Sequence, residues 1–337
     1  LCRCDGVDSE LPQDGLYELS AVLLSAAARV MSGAPQLTQE QRRALLLREV
    51  KWAEEKSAAY RGAFARAGVS HADVKDFADM VRLPFLDAVA EEGANAPFFM
   101  LTLPLSGLMR VSVLRDTTGV GGQVHCYTQG DVVRQVQAAT DMLRTCGVHR
   151  ASTVLLVGNA ADSRTLDLQY ALDGLGATVL PCASAADAVR LMDAVVPDTV
   201  IAWEQDIPLL EETLDRMALY RLISIGAHPC PQERTQRMVA RMGARHTHIF
   251  TRASMGVLIG CSDDDGTGIH LDGRLLFAEV IDAAGQGSAA DGACGELVLS
   301  SLTAEAEPVL RCRTGLHVRL LREQDRRGYE QVRMVEE

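Results

Sequence analysis

No run of 18 apolar residues occurs anywhere in this chain, so no stretch of it is built to span a bilayer as a helix. Positive charge is scarce: 33 Lys and Arg face 45 Asp and Glu, a net charge of −12. Nucleic acid needs a basic face for its phosphates and is excluded as an expected partner. The nine cysteines include no C-x-x-C pair and their number is odd, which argues against a disulfide framework and for reduced, buried thiols in a cytoplasmic protein. Cys2-Arg3-Cys4 has a spacing that could bind a metal, but a lone C-x-C at a terminus is weak evidence for one. Lysine is missing from the whole of 86–125, and that absence bears directly on chemistry.

Within that interval lies Asp116-Thr117-Thr118-Gly119-Val120-Gly121-Gly122-Gln123. A Gly-rich turn with two threonines offers backbone N–H groups and hydroxyls to an anion. A loop that holds a triphosphate normally adds a lysine as a point charge. Without one, a tight turn with threonine caps is an equally good reading.

With 337 residues and 47% hydrophobic content, the chain can bury a sizeable core. The first residue is Leu1, which places the expected start of translation upstream. Ala21–Met31 is broken by Arg29 and follows acidic residues, which is the wrong polarity for a signal peptide and fits a buried helix within 16–31. A long helix is expected from Thr38 to Ala67, with Thr38 and Gln41 as a capping box and Gly68 as the stop, then a short helix over 72–81. Strands are expected at 111–114 and 124–127. A helix follows from Thr128 to Cys146, and then a strict alternation of strands (153–157, 178–181, 199–202, 222–225) and helices (163–174, 185–195, 208–217, 232–242). The continuous apolar run Thr153–Val157 suits a parallel strand covered on both faces. This alternation predicts a doubly wound, mostly parallel α/β sheet, with ligands at the carboxyl ends of its strands. After about 245, short strands at 275–281, 295–300, 309–312 and 318–321 predict a smaller, mainly antiparallel subdomain. The expected division is a helical region over 1–110, the sheet core over 111–245 and the β-rich part over 246–337.

From about 38 to 322 the chain resembles the phenylacetate–coenzyme A ligase family of adenylate-forming enzymes. The matching segments are Tyr60-Arg61-Gly62-Ala63-Phe64, Ala67-Gly68-Val69, Leu83-Pro84-Phe85, Thr117-Thr118-Gly119, Tyr127-Thr128, Leu175–Pro181, Gly226-Ala227-His228-Pro229, Glu279–Asp282, Gly295–Leu299 and Pro308–Gly315. The resemblance implies the family's large domain, which uses ATP and Mg²⁺ to turn a small carboxylate into an acyl-adenylate and passes the acyl group to coenzyme A. It also implies a C-terminal lid carrying the adenylation lysine; Glu337 falls about where that lid should begin, so the lysine is expected outside this chain. By the same resemblance Thr117, Thr118, Gly119, Gly226, Ala227, His228, Pro229, Phe250, Thr251 and Arg313 are candidates for nucleotide binding. Asn159, Asp162 and Tyr170 are candidates for the acyl pocket.

The departures fall where the family does its chemistry. Asp116 and Val120 stand where the loop has a glycine and its lysine, and a carboxylate about 4 Å from a triphosphate costs about 1–4 kcal/mol. Arg115 is the available compensation. Ser254 replaces the glutamate that helps hold Mg²⁺. Leu316 replaces the aspartate that takes the ribose hydroxyls, at a loss of roughly 1.5–3 kcal/mol. His228 replaces a glutamate and is read as a rim histidine. Of the metal site carried by some relatives, Cys261 and His270 remain, too few for a structural zinc; Asp263-Asp264-Asp265 and the pair His246 and His248 read as solvated. Glu279 and Glu296 read as structural, with Arg311 and Arg313 as ion-pair partners of the sheet's acids. Two functional readings follow. One is a relative with an impaired adenylation site that binds a small-molecule carboxylate, an acyl-adenylate or a partner protein, or forms a homo-oligomer. The other is an ATP-dependent acyl or aryl ligase with altered motifs and its lid elsewhere.

Overall fold

The computed structural model describes residues 37–93, 98–114, 122–217, 219–262, 268–282, 285, 287–324 and 330–336. The expected helix within 16–31, Cys2 and Cys4, residues 115–121 and Asp263-Asp264-Asp265 lie outside the described residues.

The helix expected as one piece over 38–67 is two: α1 (Gln39–Lys56) and α2 (Ala58–Ala67). Thr38 caps α1 with Gln41 as its reciprocal partner, as the spacing predicts. Ser57 breaks the run with an extended backbone (φ −96°, ψ 127°). Its hydroxyl accepts from Tyr60 N–H and donates to the Phe99 carbonyl at 3.0 Å. Gly68, at φ +67°, stops α2. In place of a helix over 72–81 there are two 3-10 turns, His71–Asp73 and Phe77–Arg82, because Asp73 and Asp79 turn back to cap the backbone ahead of them. α3 (Leu86–Glu92) follows.

β1 (Arg110–Leu114) and β2 (Gln123–Tyr127) pair antiparallel as a two-stranded sheet of their own instead of joining the main one. α4 (Gln129–Thr145) begins at a Thr128–Asp131 capping box. The alternation then proceeds through β3 (Thr153–Val157), α5 (Ser163–Leu175), β4 (Thr178–Cys182), α6 (Ala185–Met192), β5 (Thr199–Trp203), α7 (Ile207–Asp215), β6 (Arg221–Gly226), α8 (Glu233–Met242) and β7 (Arg245–Arg252). Gly176, at φ +73°, ends α5 rather than Gly174, which stays inside it. The parallel strands lie in the order β4-β3-β5-β6-β7. Odd and even residues feed opposite faces. Val154, Leu156, Ile201, Ile223 and Ile225 join one hydrophobic cluster, while Leu155, Val157, Val200 and Leu222 join the other. Both faces are therefore covered, as a doubly wound sheet requires.

The sheet does not stop near 245. β7 pairs parallel with β6 and antiparallel with β8 (Val257–Cys261). The sheet continues through β9 (Ile269–Leu271), β14 (Glu330–Glu336), β13 (Cys312–Gln324), β12 (Cys294–Ser301), β10 (Leu276–Ile281) and β11 (Gly287–Ser288), twelve strands among the described residues. Val309–Arg311, expected to begin a strand, precede β13 as irregular chain, because Arg311 sits at φ +52°. Its guanidinium bonds Glu279 at 2.7 Å and the Val81 and Leu83 carbonyls.

The first two helices are stitched to this distant part of the chain. Glu49 accepts from Ser301 Oγ and Ala304 N–H, Trp52 donates to the Glu305 carbonyl, and Tyr60 Oη donates to the Pro308 carbonyl and accepts from Leu310 N–H.

Candidate functional site

The carboxyl ends of β3, β5, β6 and β7 gather the loops that the sequence singles out. Thr117, Thr118 and Gly119, with Arg115, Asp116 and Val120, lie outside the described residues.

At the end of β3, Asn159 is exposed and its Oδ1 accepts from Ala161 N–H at 2.8 Å. Asp162 caps α5 and grips Arg164 with two bonds of 2.9 and 2.6 Å. Arg164 is only 1% exposed; its guanidinium lies 4.6 Å from the Trp203 ring and reaches Thr251 Oγ1. Trp203 donates to Thr165 Oγ1 at 3.1 Å. Sequence reasoning missed Arg164, since an arginine two residues into a helix gives no sign of being buried. Tyr170 is exposed on the outer side of α5, beside Arg110, so it does not meet Asn159 and Asp162 in one pocket. Arg110 instead pairs with buried Asp167 at 2.6 Å; burial raises the Asp167 pKa to about 7 against the pull of that arginine.

At the end of β6 begins Gly226-Ala227-His228-Pro229. His228 is exposed, but its carbonyl accepts from His248 Nε2 at 2.9 Å. A Cβ on Gly226 would lie 2.9 Å from the His248 ring, so only glycine fits there. His246 and His248, expected to be solvated, are turned inward: Ser224 Oγ lies 2.9 Å from His246 Nε2 and 2.7 Å from His248 Nδ1. Burial lowers the pKa of each ring to about 4. The reason is that β7 is an internal strand, with β6 on one side and β8 on the other.

Phe250 and Thr251 have no exposed surface. Arg252 leaves β7 and bridges two segments: it donates to the Ala227 carbonyl at 3.3 Å and to the Thr314 carbonyl at 2.9 Å. Ser254 Oγ is buried and has no hydrogen-bond partner among the described residues. Leu316 is buried in β13, its N–H bonded to Thr314 Oγ1.

Arg313 makes a two-pronged ion pair with Glu296 at 2.5 and 3.1 Å, and its hydrogen bonds hold the Glu296 carboxyl below its usual range. Arg311 and Glu279 form the corresponding buried pair, in which burial pushes the Glu279 carboxyl up against the arginine's pull. Ion pairing is thus what these four residues do. Cys261 and His270 are register partners on β8 and β9, and among the described residues no group of three metal-ligating side chains gathers.

A cavity of about 520 Å³ lies between α3, the start of β2 and the segment after β7, with Asp87, His125, Arg252, Ser254, Glu307 and Arg313 on its wall. His125 and Glu307 form a further buried pair, Nδ1 to Oε2 at 3.4 Å, that sequence spacing could not reveal because 182 positions separate them (307 minus 125).

The fold is that of solved acyl-coenzyme A ligases. A structure of 2-hydroxyisobutyryl-CoA ligase in an open conformation, in complex with 2-HIB-AMP and CoA, superposes with a TM-score of 0.75 at 16% identity, covering 88% of this chain and 73% of that one. No family model matches the chain. In sequence it is 30% identical over 301 residues to the phenylacetate–coenzyme A ligase of Aromatoleum evansii (84% of this chain, 68% of the relative). It is 27% identical to that of Escherichia coli strain K12 (82% and 67%) and 27% identical to that of Pseudomonas putida (78% and 62%). The chain therefore spans about two thirds of the length of these relatives. On that identity and coverage, the chain belongs to the phenylacetate–coenzyme A ligase family.

Proposed function

We propose that this chain is a family member whose adenylation site is impaired, and which serves as a binder of a ligand or partner protein, not as a ligase in its own right. The carrying observation is Arg252. One guanidinium bonds both the Ala227 carbonyl, in a segment read as nucleotide-binding, and the Thr314 carbonyl, two residues before the position read as meeting the ribose. A nucleoside between those segments would have to displace a cation from two carbonyls. Three further features support the reading. Leu316 offers the ribose no acceptor, and Phe250 is sealed in the core instead of presenting a ring face for stacking. Asp162, an acyl-pocket candidate, is already engaged by the buried Arg164, which packs against Trp203. The residues do not fit Mg²⁺ at the expected position, because Ser254 supplies a neutral hydroxyl where a hard, charged oxygen is wanted. A cytoplasmic location belongs to the same proposal.

The test is calorimetric titration with Mg-ATP and with a non-hydrolysable phenylacetyl-adenylate analogue. The reading expects no saturable heat with either at millimolar ligand. It expects measurable ATP affinity from the triple variant Arg252→Leu, Ser254→Glu, Leu316→Asp. Micromolar binding by the unaltered chain would overturn it.

One observation favours the second reading, an ATP-dependent acid–thiol ligase completed by a lid. The cavity beside Arg252, Ser254 and Arg313, at about 520 Å³, falls in the range of small-molecule sites. Under that reading, phenylacetate, ATP and coenzyme A incubated with the chain plus a relative's lid domain give AMP.

A further inference from the structure

Three residues on the wall of the cavity of about 520 Å³ each carry a buried polar atom with no hydrogen-bond partner among the described residues: His125 Nε2, Ser254 Oγ and Glu307 Oε1. A buried polar group left unpaired is costly, so a ligand that supplies the matching hydrogens gains affinity there. His125 is 4% exposed and Glu307 5%. The other carboxylate oxygen of Glu307 is already used: Oε2 accepts from Cys126 N–H at 3.0 Å and lies 3.4 Å from His125 Nδ1. A carboxylate only accepts, so the Nδ1 that faces it carries a hydrogen, and in the neutral ring Nε2 is then an acceptor. The turn that carries Ser254 passes against the same ring, since a Cβ on Gly256 would lie 2.8 Å from His125 Nδ1. Two of the three atoms therefore accept only, and the serine hydroxyl accepts as well as donates.

The rest of the wall sets the other properties of the ligand. Leu86, Phe98, Phe99, Met100 and Val124 give the cavity an apolar side. Among its charges, Asp87 and Glu307 stand against Arg252 and Arg313, and Arg313 is paired with Glu296. With Glu296 counted, three acids face two arginines, which leaves one negative charge. A carboxylate or phosphate would set its oxygens against Glu307 Oε1, acceptor against acceptor. A hydroxyl brings a single hydrogen. A primary ammonium brings three hydrogens, no acceptor and one positive charge. His125 and Glu307 also border a cavity of about 40 Å³, which has room for water alone, so an organic ligand enters from the larger side.

We propose that the larger cavity binds a primary amine with an aromatic or apolar body, its ammonium at Glu307, His125 and Ser254 and its body against Phe98, Phe99 and Met100. The inference rests on the reading above that the chain binds a ligand instead of activating an acid. Its test is calorimetric titration of the full chain, at about pH 8 where an ordinary histidine is neutral, with phenethylamine, phenethyl alcohol and phenylacetate, and with Mg-ATP in parallel. The amine should bind saturably and about tenfold tighter than the alcohol, the margin of a charge-assisted over a neutral hydrogen bond, and phenylacetate should not bind. Glu307→Gln keeps an oxygen for Cys126 N–H and loses the charge, so amine affinity should fall by about tenfold or more. In the unaltered chain the His125 imidazole ¹⁵N signals should shift as the amine saturates. Absence of amine binding, binding of phenylacetate or the alcohol as tight as that of the amine, or equal amine affinity in Glu307→Gln would overturn the proposal. An unmoved His125 ring at amine saturation overturns it too, and needs no variant to fold. Silence to both the amine and Mg-ATP sinks this inference alone, whereas binding of Mg-ATP sinks the reading beneath it.

Discussion

The Glu49 carboxyl is held by Ser301 Oγ at 2.6 Å and Ala304 N–H at 2.9 Å, and burial raises its pKa from 4.5 to about 7. The folded chain thus holds a proton that the unfolded chain releases above 4.5; this contribution is complete below 4.5 and is lost as pH rises through about 7. His246 and His248 run the opposite way. Their folded pKa values of about 4 lie below the unfolded 6.5, so their contribution is complete above 6.5 and is lost as pH falls toward 4. Calorimetric melting should therefore show Glu49→Gln more stable than the parent at pH 8, by up to about 3 kcal/mol, and no advantage near pH 4.5. Gln keeps the one oxygen that accepts both bonds, Oε1. The Arg311–Glu279 pair offers a second residue-level test: with side chains 4% and 3% exposed, it should lose about 3–5 kcal/mol in Arg311→Met by urea unfolding, and less in Arg311→Met with Glu279→Gln. That Arg311 and Arg313 would pair with the sheet's acids was legible in the sequence, but which acid each meets was not. Nor was the burial of Arg164 and His248, or the inward bonding of Arg252 and His246. A polar side chain looks the same in sequence whether it meets water or a carbonyl, and the periodicity of Arg245–Arg252 suggests an exposed face that its neighbours β6 and β8, with their covering layers, remove.

N-caps carried by threonine were readable because they need one residue type at one place, and Thr38, Thr128 and the stop at Gly68 act as expected, whereas of two nearby glycines the sequence did not show that Gly176 and not Gly174 ends α5. The break at Ser57 was hidden by an apolar periodicity that continues across it. Ser57→Ala removes both the cap on α2 and the bond to the Phe99 carbonyl, and should cost about 1–2 kcal/mol in urea unfolding. Gly256 is a comparable element boundary, between β7 and β8: it sits at φ +71°, and a Cβ there would meet His125 Nδ1 at 2.8 Å. Gly256→Ala should destabilise by about 1–3 kcal/mol, and the ring of His125 should shift in a ¹H–¹⁵N imidazole spectrum. The strands after 252 were only partly legible. β9 and β11 are three and two residues long, too short for any alternation to register.

At the scale of the whole molecule, the order of β and α segments was enough to give the doubly wound half, whereas the continuity of twelve strands was not, because pairing between β14 and β9 is a long-range event with no local signature. The strand-end segments followed the same division: motifs singled them out, but no motif marks Arg164 and Arg252, whose guanidiniums pack among them. The helices joined to residues 301–310 have one more consequence, which concerns synthesis. Tyr60 finds the Pro308 carbonyl 248 positions later, and Glu49 finds Ser301 252 positions later. At about 5–20 residues per second, a ribosome needs tens of seconds to supply those partners. Throughout that interval α1 and α2 must wait with their future core surface uncovered, so a nascent chain halted before residue 300 should be held by chaperones and cut readily by protease, while one that has cleared the ribosome with β14 in place should resist.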